Sequence, residues 1–211
     1  MARRSLRLVL KFGSGILSNP QGNTLDRRQF DRLGREVAAL RRAGHECLIV
    51  SSGAVAAGMA ALGLKARPAG LPARQAFTLE RLLAGGVVPV INENDSVAVE
   101  ELNFGDNDRL SAEVAILIGA DRLIILTSVD GLLDAAGRVV PVVADLDAVA
   151  SLVHREVGRV STGGMVTKLD AARRAVAAGI AVGIASGRRP GVMAAIVAGR
   201  KSGTHFPAER R

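Results

Sequence analysis

Cysteine, histidine and large aromatic residues are scarce in this sequence. The single cysteine, Cys47, excludes a disulfide framework within the chain and points to a reducing setting, expected to be the cytoplasm. Cys47 sits in an apolar stretch and reads as a small core residue. The three histidines, His45, His154 and His205, show no ligand spacing with it, so no protein-built metal site is expected. Tryptophan and tyrosine are absent and phenylalanine occurs five times, too few for the aromatic platforms on which single-stranded nucleic acid stacks. No apolar run approaches the ~20 residues of a membrane span. The opening Met1-Ala2-Arg3-Arg4 leads into a strand-like pattern and not into a signal-peptide core.

What is present is an apolar chain with a positive charge. At 211 residues and 48% hydrophobic, it can bury a substantial core as one domain or two tightly joined lobes. Its net charge of +8 raises the question of nucleic acid. The basic residues, however, come as scattered pairs, such as Arg27-Arg28, Arg41-Arg42, Arg173-Arg174 and Arg188-Arg189, and not as one stripe. A diffuse positive field suits an anionic small substrate better. Only Lys11, Lys65, Lys168 and Lys201 among the 28 basic residues are lysines. A lysine chosen for a glycine-rich segment therefore invites a chemical reason: it is a compact, mobile point charge that can follow a migrating anion.

Strand-like and helix-like segments alternate along the chain. Leu6 to Leu10 reads as an apolar strand, followed by Lys11-Phe12-Gly13-Ser14-Gly15, a small-residue turn able to cradle phosphate. It matches neither a Walker A loop nor a full G-x-G-x-x-G. Phe30, Leu33, Val37 and Leu40 recur at helical spacing from about Asp26 to Ala43, and Gly44 stops that helix. A strand from Cys47 to Val50 ends in Ser51-Ser52-Gly53, which serves equally as an anion site or as a plain N-cap for the Ala-rich helix 54–62. A second helix is expected from about Ala73 to Ala84.

Next comes a buried strand, Val87 to Ile91, which runs into Asn92-Glu93-Asn94-Asp95. A further polar cluster, Gly105-Asp106-Asn107-Asp108, precedes a helix from Leu110 to Ile118, and the strand Leu123 to Leu126 ends in Thr127-Ser128. Asp and Asn suit turns and caps, yet two such clusters beside buried strands also suit a ligand site. Val139 to Val143 reads as a short strand and Leu146 to Val153 as a helix. Ser161-Thr162-Gly163-Gly164-Met165-Val166-Thr167-Lys168 reads as a second glycine-rich turn before a helix from Leu169 to Ala178. A last core strand, Ile180 to Ala185, precedes a helix that Pro190 can start. The alternation predicts an α/β fold, a three-layer αβα sandwich with a mostly parallel central sheet.

In their order, five segments resemble the glutamate 5-kinases of the amino acid kinase superfamily. They are Lys11-Phe12-Gly13-Ser14, Val50-Ser51-Ser52-Gly53-Ala54, Val88 to Asp95, Gly105-Asp106-Asn107-Asp108, and Thr162 to Lys168. The resemblance implies ATP and Mg2+ as cofactors and phosphorylation of the glutamate side-chain carboxylate, the first step of proline synthesis. It implies that Lys11 and Lys168 stabilise the transferring phosphoryl group, with the catalytic Asp108 held between them. Ser52, Gly53, Asp95, Asp106 and Asn107 fall at glutamate-binding positions. Gly13, Ser14, Thr127, Ser128, Thr162, Gly163, Gly164, Met165, Val166 and Thr167 fall, with both lysines, on the nucleotide side.

One domain over 1–211 is implied, with an acceptor-side lobe over about 1–119 and a nucleotide-side lobe over about 120–206. So are small-molecule partners and a homo-oligomer, with neither membrane nor nucleic acid as partner. The chain reads as a short form without the C-terminal RNA-modification-type domain of many bacterial relatives. Between Gly53 and Gly86 it lacks a block that helps relatives to form the glutamate pocket and the dimer contact. Thr127-Ser128 also replaces a family Thr-Asp, and Leu133 to Gly137 replaces a Tyr-Thr-Ala-Asp-Pro run. The shortened connection leads us to expect a less covered sheet edge, weak glutamate binding and near-normal nucleotide binding.

Overall fold

The computed structural model describes residues 4–19, 26–51, 75–92, 107–146, 149 and 164–208. Strand β1 (Arg7–Phe12) shows why the chain layers as it does. Its alternate side chains enter two separate cores: Leu8, Leu10 and Phe12 on one face, Val9 on the other. A strand buried on both faces is the mark of a parallel sheet between helices. Among the described residues, strands β2 (Glu46–Ser51), β3 (Val90–Ile91), β4 (Arg122–Thr127), β5 (Ala181–Ser186) and β6 (Thr204–Phe206) join it in a six-stranded sheet in the order β3-β2-β1-β4-β5-β6. All neighbours are parallel except β5 and β6.

On the Val9 face lie α3 (Gln75–Ala84), α4 (Asn107–Leu117) and α5 (Gly164–Ala177), with Leu79, Ala112, Ala115, Ala171 and Ala175 in that core. The small residues of α4 and α5 let those two helices pack closely side by side over the sheet. On the Leu8 face lie α1 (Ser14–Leu17), α2 (Arg27–Arg42) and α6 (Val192–Val197), which contribute Ile16, Leu33, Val37, Leu40, Met193 and Ile196. The expected three-layer αβα sandwich is the observed one.

Local chemistry sets the element ends. Asp26 caps α2 by accepting from Gln29 N–H at 3.1 Å. Gly44, with φ of 91°, closes it as a Schellman motif: its N–H donates to Arg41 O at 2.9 Å and His45 N–H donates to Leu40 O at 3.1 Å. At the opposite end of β1 from Lys11, Arg7 gathers the neighbouring elements. Its guanidinium meets Glu46 at 2.7 Å and Glu80 at 2.8 Å, and donates to Ile118 O at 2.6 Å.

Several expectations are corrected. Phe30 is 39% exposed and the inward position of that turn is taken by Gln29, whose Nε2 donates to Gly187 O at 2.9 Å. The expected buried strand from Val87 to Ile91 pairs only over Val90 and Ile91, and Val90 is 55% exposed. Pro89 brings no N–H to the ladder and offers only its carbonyl, to Ile49 N–H at 2.9 Å. Residues 139–143 form two isolated bridges, Leu133 with Val139 and Val142 with His205, and not a strand. Helix α4 begins at Asn107, not Leu110, and α5 at Gly164, so Gly164 to Lys168 is helix and not turn. Helix 54–62 lies outside the described residues, as does most of the expected 146–153 helix.

Candidate active site

The corrected helix starts build the site. Lys11 is the fifth residue of β1, paired with Val50 on one side and Ile125 on the other, so the central strand fixes its backbone. It shares Val9's side of the sheet, beneath α4 and α5. Asp108 is in the first turn of α4, where the positive end of the helix dipole favours a carboxylate. Lys168 follows Gly164 by one turn in α5, and its stem folds back so that Nζ donates to Gly164 O at 2.7 Å. Three elements thus deliver three ionisable groups to one point near the carboxyl ends of the strands, where open α/β sheets hold ligands.

The geometry is that of one carboxylate between two ammonium groups. Lys11 Nζ stands 2.5 Å from Asp108 Oδ1, and Lys168 Nζ 3.0 Å from Oδ2. Asp108 is 2% exposed, Lys11 7% and Lys168 9%. Burial is the largest single influence on the Asp108 carboxyl and pushes its pKa up. The combined attraction of Lys11 and Lys168 outweighs it and holds the group below the ordinary aspartate value. The trio therefore carries a net single positive charge in a dry place, which favours an incoming anion.

Two glycines keep space beside those charges. A Cβ placed on Gly13 would lie 3.9 Å from Lys11 Nζ and 3.2 Å from Leu126 O, and one on Gly164 would lie 3.8 Å from Lys168 Nζ. Gly13 and Gly164 thus bring bare backbone to the ammonium groups, as a phosphate cradle requires. Gly13 N–H donates to Leu126 O at 3.0 Å, which sets the turn against the end of β4. There Thr127 is buried and Ser128 exposed, with Ser128 beside Gly15. Ser14 is exposed at the start of α1. Asn107 is buried next to Asp108, Met165 packs on the core below α5, and Val166 is half-buried. Ser52, Gly53, Asp95, Asp106, Thr162 and Gly163 lie outside the described residues.

Further contributors were not singled out from the sequence. Ser111, fully buried, donates from Oγ to the backbone carbonyl of Asp108 at 2.6 Å. Arg188 donates to Gly15 O at 2.7 Å and so ties the β5–α6 turn to the first glycine turn. Gly187 makes that approach possible, since a Cβ there would sit 2.4 Å from Ile16 Cδ1. The paired arginine at 188 was visible in the sequence, but nothing local marks what it reaches. Thr167, expected on the nucleotide side, has its hydroxyl 3.0 Å from Asp108 Oδ2.

Comparison with known proteins fits this geometry into a family. The model of the amino acid kinase family matches residues 6–77 and 72–186. The chain is 40% identical over 255 residues to a glutamate 5-kinase of Thermus thermophilus, covering 97% of this chain and 68% of that one. It is 38% identical over 261 residues to a glutamate 5-kinase of Meiothermus ruber, covering 100% and 68%. The first comparison runs over 255 residues against 211 in the whole chain, so several dozen residues of the relative have no counterpart here. The family match is itself split at 72–77, inside the shortened connection.

Among solved structures, a UMP kinase from Bacillus anthracis shares the fold with a TM-score of 0.67 at 16% identity, covering 99% of this chain and 98% of that one. An N-acetylglutamate synthase from Neisseria gonorrhoeae, complexed with coenzyme A and L-arginine, gives a TM-score of 0.68 at 14% identity over 97% of this chain. This chain spans 62% of that synthase's length. With sequence, topology and strand-end geometry in agreement, the chain belongs to the amino acid kinase family.

Proposed function

We propose that this chain transfers the γ-phosphoryl group of ATP to the side-chain carboxylate of L-glutamate, giving γ-glutamyl phosphate and ADP, the first step of proline biosynthesis. The observation that carries this reading is the buried Lys11–Asp108–Lys168 trio with glycine backbone beside each ammonium. Phosphoryl transfer asks little covalent chemistry of a protein; it asks for alignment and for positive charge on the moving oxygens. A glutamate carboxylate oxygen attacks the γ-phosphorus, the bond from that phosphorus to the β–γ bridging oxygen breaks, and its electron pair leaves with ADP. The nucleophile is already ionised, so no general base is required. Lys11 and Lys168 supply charge from two sides, and Asp108 holds the two mutually repelling ammonium groups in register.

In this reading Ser52, Gly53, Asp95, Asp106 and Asn107 bind glutamate. Gly13, Ser14, Thr127, Ser128 and Thr162 to Lys168 attend the nucleotide, and the lobes divide at about residue 119. Among the described residues no three His, Cys, Asp or Glu side chains gather as a metal site. Mg2+ would accompany the nucleotide phosphates, whose charge it neutralises when bound. Among the described residues no helix is long and apolar enough to cross a membrane, and the reading places the enzyme in the cytoplasm as a homo-oligomer. The missing block favours a second reading, a paralogue that binds nucleotide or a protein without turnover or phosphorylates another small acid. An ATP-dependent γ-glutamyl hydroxamate assay, with aspartate and acetylglutamate as competitors, separates them. Glutamate-dependent hydroxamate formation is expected; ATP binding without it supports the second reading.

A further inference from the structure

Two neighbouring residues of α5 meet one oxygen of Asp108. Lys168 Nζ and Thr167 Oγ1 each lie 3.0 Å from Oδ2. Consecutive helix residues point about 100° apart, so a shared target requires an unequal pair. The lysine reaches it on a long stem that curls back over Gly164. Threonine reaches it directly, on a β-branched side chain with restricted χ1. The result is one rigid neutral donor and one mobile cation on the same carboxylate oxygen. The Thr167 hydroxyl has a second acceptor within range, Gly164 O at 3.2 Å. Its single proton favours the carboxylate, which is closer and charged.

We propose that Thr167 is a positioning residue that holds Asp108 in place while Lys168 moves onto the transferring phosphoryl group. This rests on the phosphoryl-transfer reading above. A lysine that follows a migrating charge must loosen its hold on Oδ2, and a buried carboxylate oxygen left bare is costly. Thr167 keeps a donor on that oxygen throughout, so Asp108 retains its orientation toward Lys11 while Lys168 is released. On this proposal Thr167 acts through Asp108, which revises the nucleotide-side role given to it above: its hydroxyl serves the carboxylate and not the nucleotide. Among the described residues, the charged groups facing the carboxylate from the packed elements are Lys11 of β1 and Lys168 of α5. Neither is altered by a change at 167.

The test compares Thr167→Val, which keeps the shape and removes the hydroxyl, with Thr167→Ser, which keeps the hydroxyl. Thr167→Val should lower kcat about tenfold with KM for ATP within about twofold, and Thr167→Ser should restore most of the rate. A raised KM for ATP with unchanged kcat would overturn the proposal in favour of direct nucleotide contact. A second readout needs no turnover: the Asp108 carboxyl carbon followed by 13C NMR against pH in the ligand-free protein. Removing a donor to the charged form raises a carboxyl pKa, so protonation should begin at higher pH in Thr167→Val than in wild type or Thr167→Ser. Superimposable titrations would refute the Thr167–Asp108 coupling. Shifted titrations in a protein that makes no glutamyl phosphate would keep the coupling and refute the glutamate kinase reading.

Discussion

Replacing Asp108 with asparagine isolates the charge at the centre of the site. The amide has nearly the shape of the carboxylate, so packing in the first turn of α4 is preserved. What is lost is the anion between Lys11 Nζ at 2.5 Å and Lys168 Nζ at 3.0 Å, both on buried residues. Removing one partner of a buried ion pair costs about 3–5 kcal/mol, because the other charge remains without compensation. The variant can escape by releasing a proton from one lysine, and at pH 7 that costs about 4–5 kcal/mol from a reference pKa of ~10.4. The two routes agree, and Asp108→Asn should lose about 4 kcal/mol of stability at pH 7.

The sign of the pH dependence follows. In the variant, the surplus lysine has a folded pKa below its unfolded one, so the unfolded chain binds more protons and stability rises with pH. The deficit relative to wild type should shrink by about 1.4 kcal/mol per pH unit between about pH 7 and 10. Wild type also gains stability with rising pH, but at the acid end. Its depressed Asp108 pKa contributes stability above the unfolded value that is lost as pH falls through the folded one. Urea unfolding of both proteins at pH 7 and pH 9 measures this. A deficit below about 1 kcal/mol at pH 7, or one that does not change with pH, would refute the view that the trio is a dry, charged cluster.

Lys168→Ala should lower turnover by ~100-fold or more while the protein still unfolds cooperatively. Lys168→Arg should rescue poorly, since a planar fork cannot reproduce both the Asp108 and the Gly164 contacts of a tetrahedral ammonium. Full activity in the alanine variant would remove Lys168 from the mechanism. Gly187→Ala should cost about 1–3 kcal/mol in urea unfolding, because its Cβ would enter the space of Ile16 Cδ1 at 2.4 Å with little room to yield. An unchanged midpoint would mean that the turn is looser than its packing implies.

Much of the fold was legible because local signals and burial agreed. The α2 helix shows this: Asp26, the spacing of Leu33, Val37 and Leu40, and Gly44 each mark it independently, and all three signals do what their chemistry suggests. Phe30 misled because hydropathy ranks it above Gln29, whereas the decisive contact is an amide bond to Gly187, distant in sequence. Val87 to Ile91 misled because an apolar run does not reveal whether its strand is central or at an edge. The site divides in the same way. Glycine beside lysine marked Lys11 and Lys168, and helix-start chemistry marked Asp108. No periodicity joins Thr167 to an aspartate 59 positions away, or Arg188 to a carbonyl 173 positions away. Such contacts arise from packing of α5 on α4 and of the β5–α6 turn on α1, which the sequence alone does not encode locally.

The central claim is that Lys11 and Lys168 face the transferring phosphoryl group from two sides while Asp108 holds them. A crystal structure of the protein with ADP, Mg2+, glutamate and tetrafluoroaluminate, a planar mimic of that group, tests it directly. The account predicts both Nζ atoms within about 3 Å of fluorine, with the Asp108 carboxylate between the lysines and glutamate in line with the leaving oxygen. A planar anion held away from both ammonium groups, or glutamate on the same side as ADP, would contradict it.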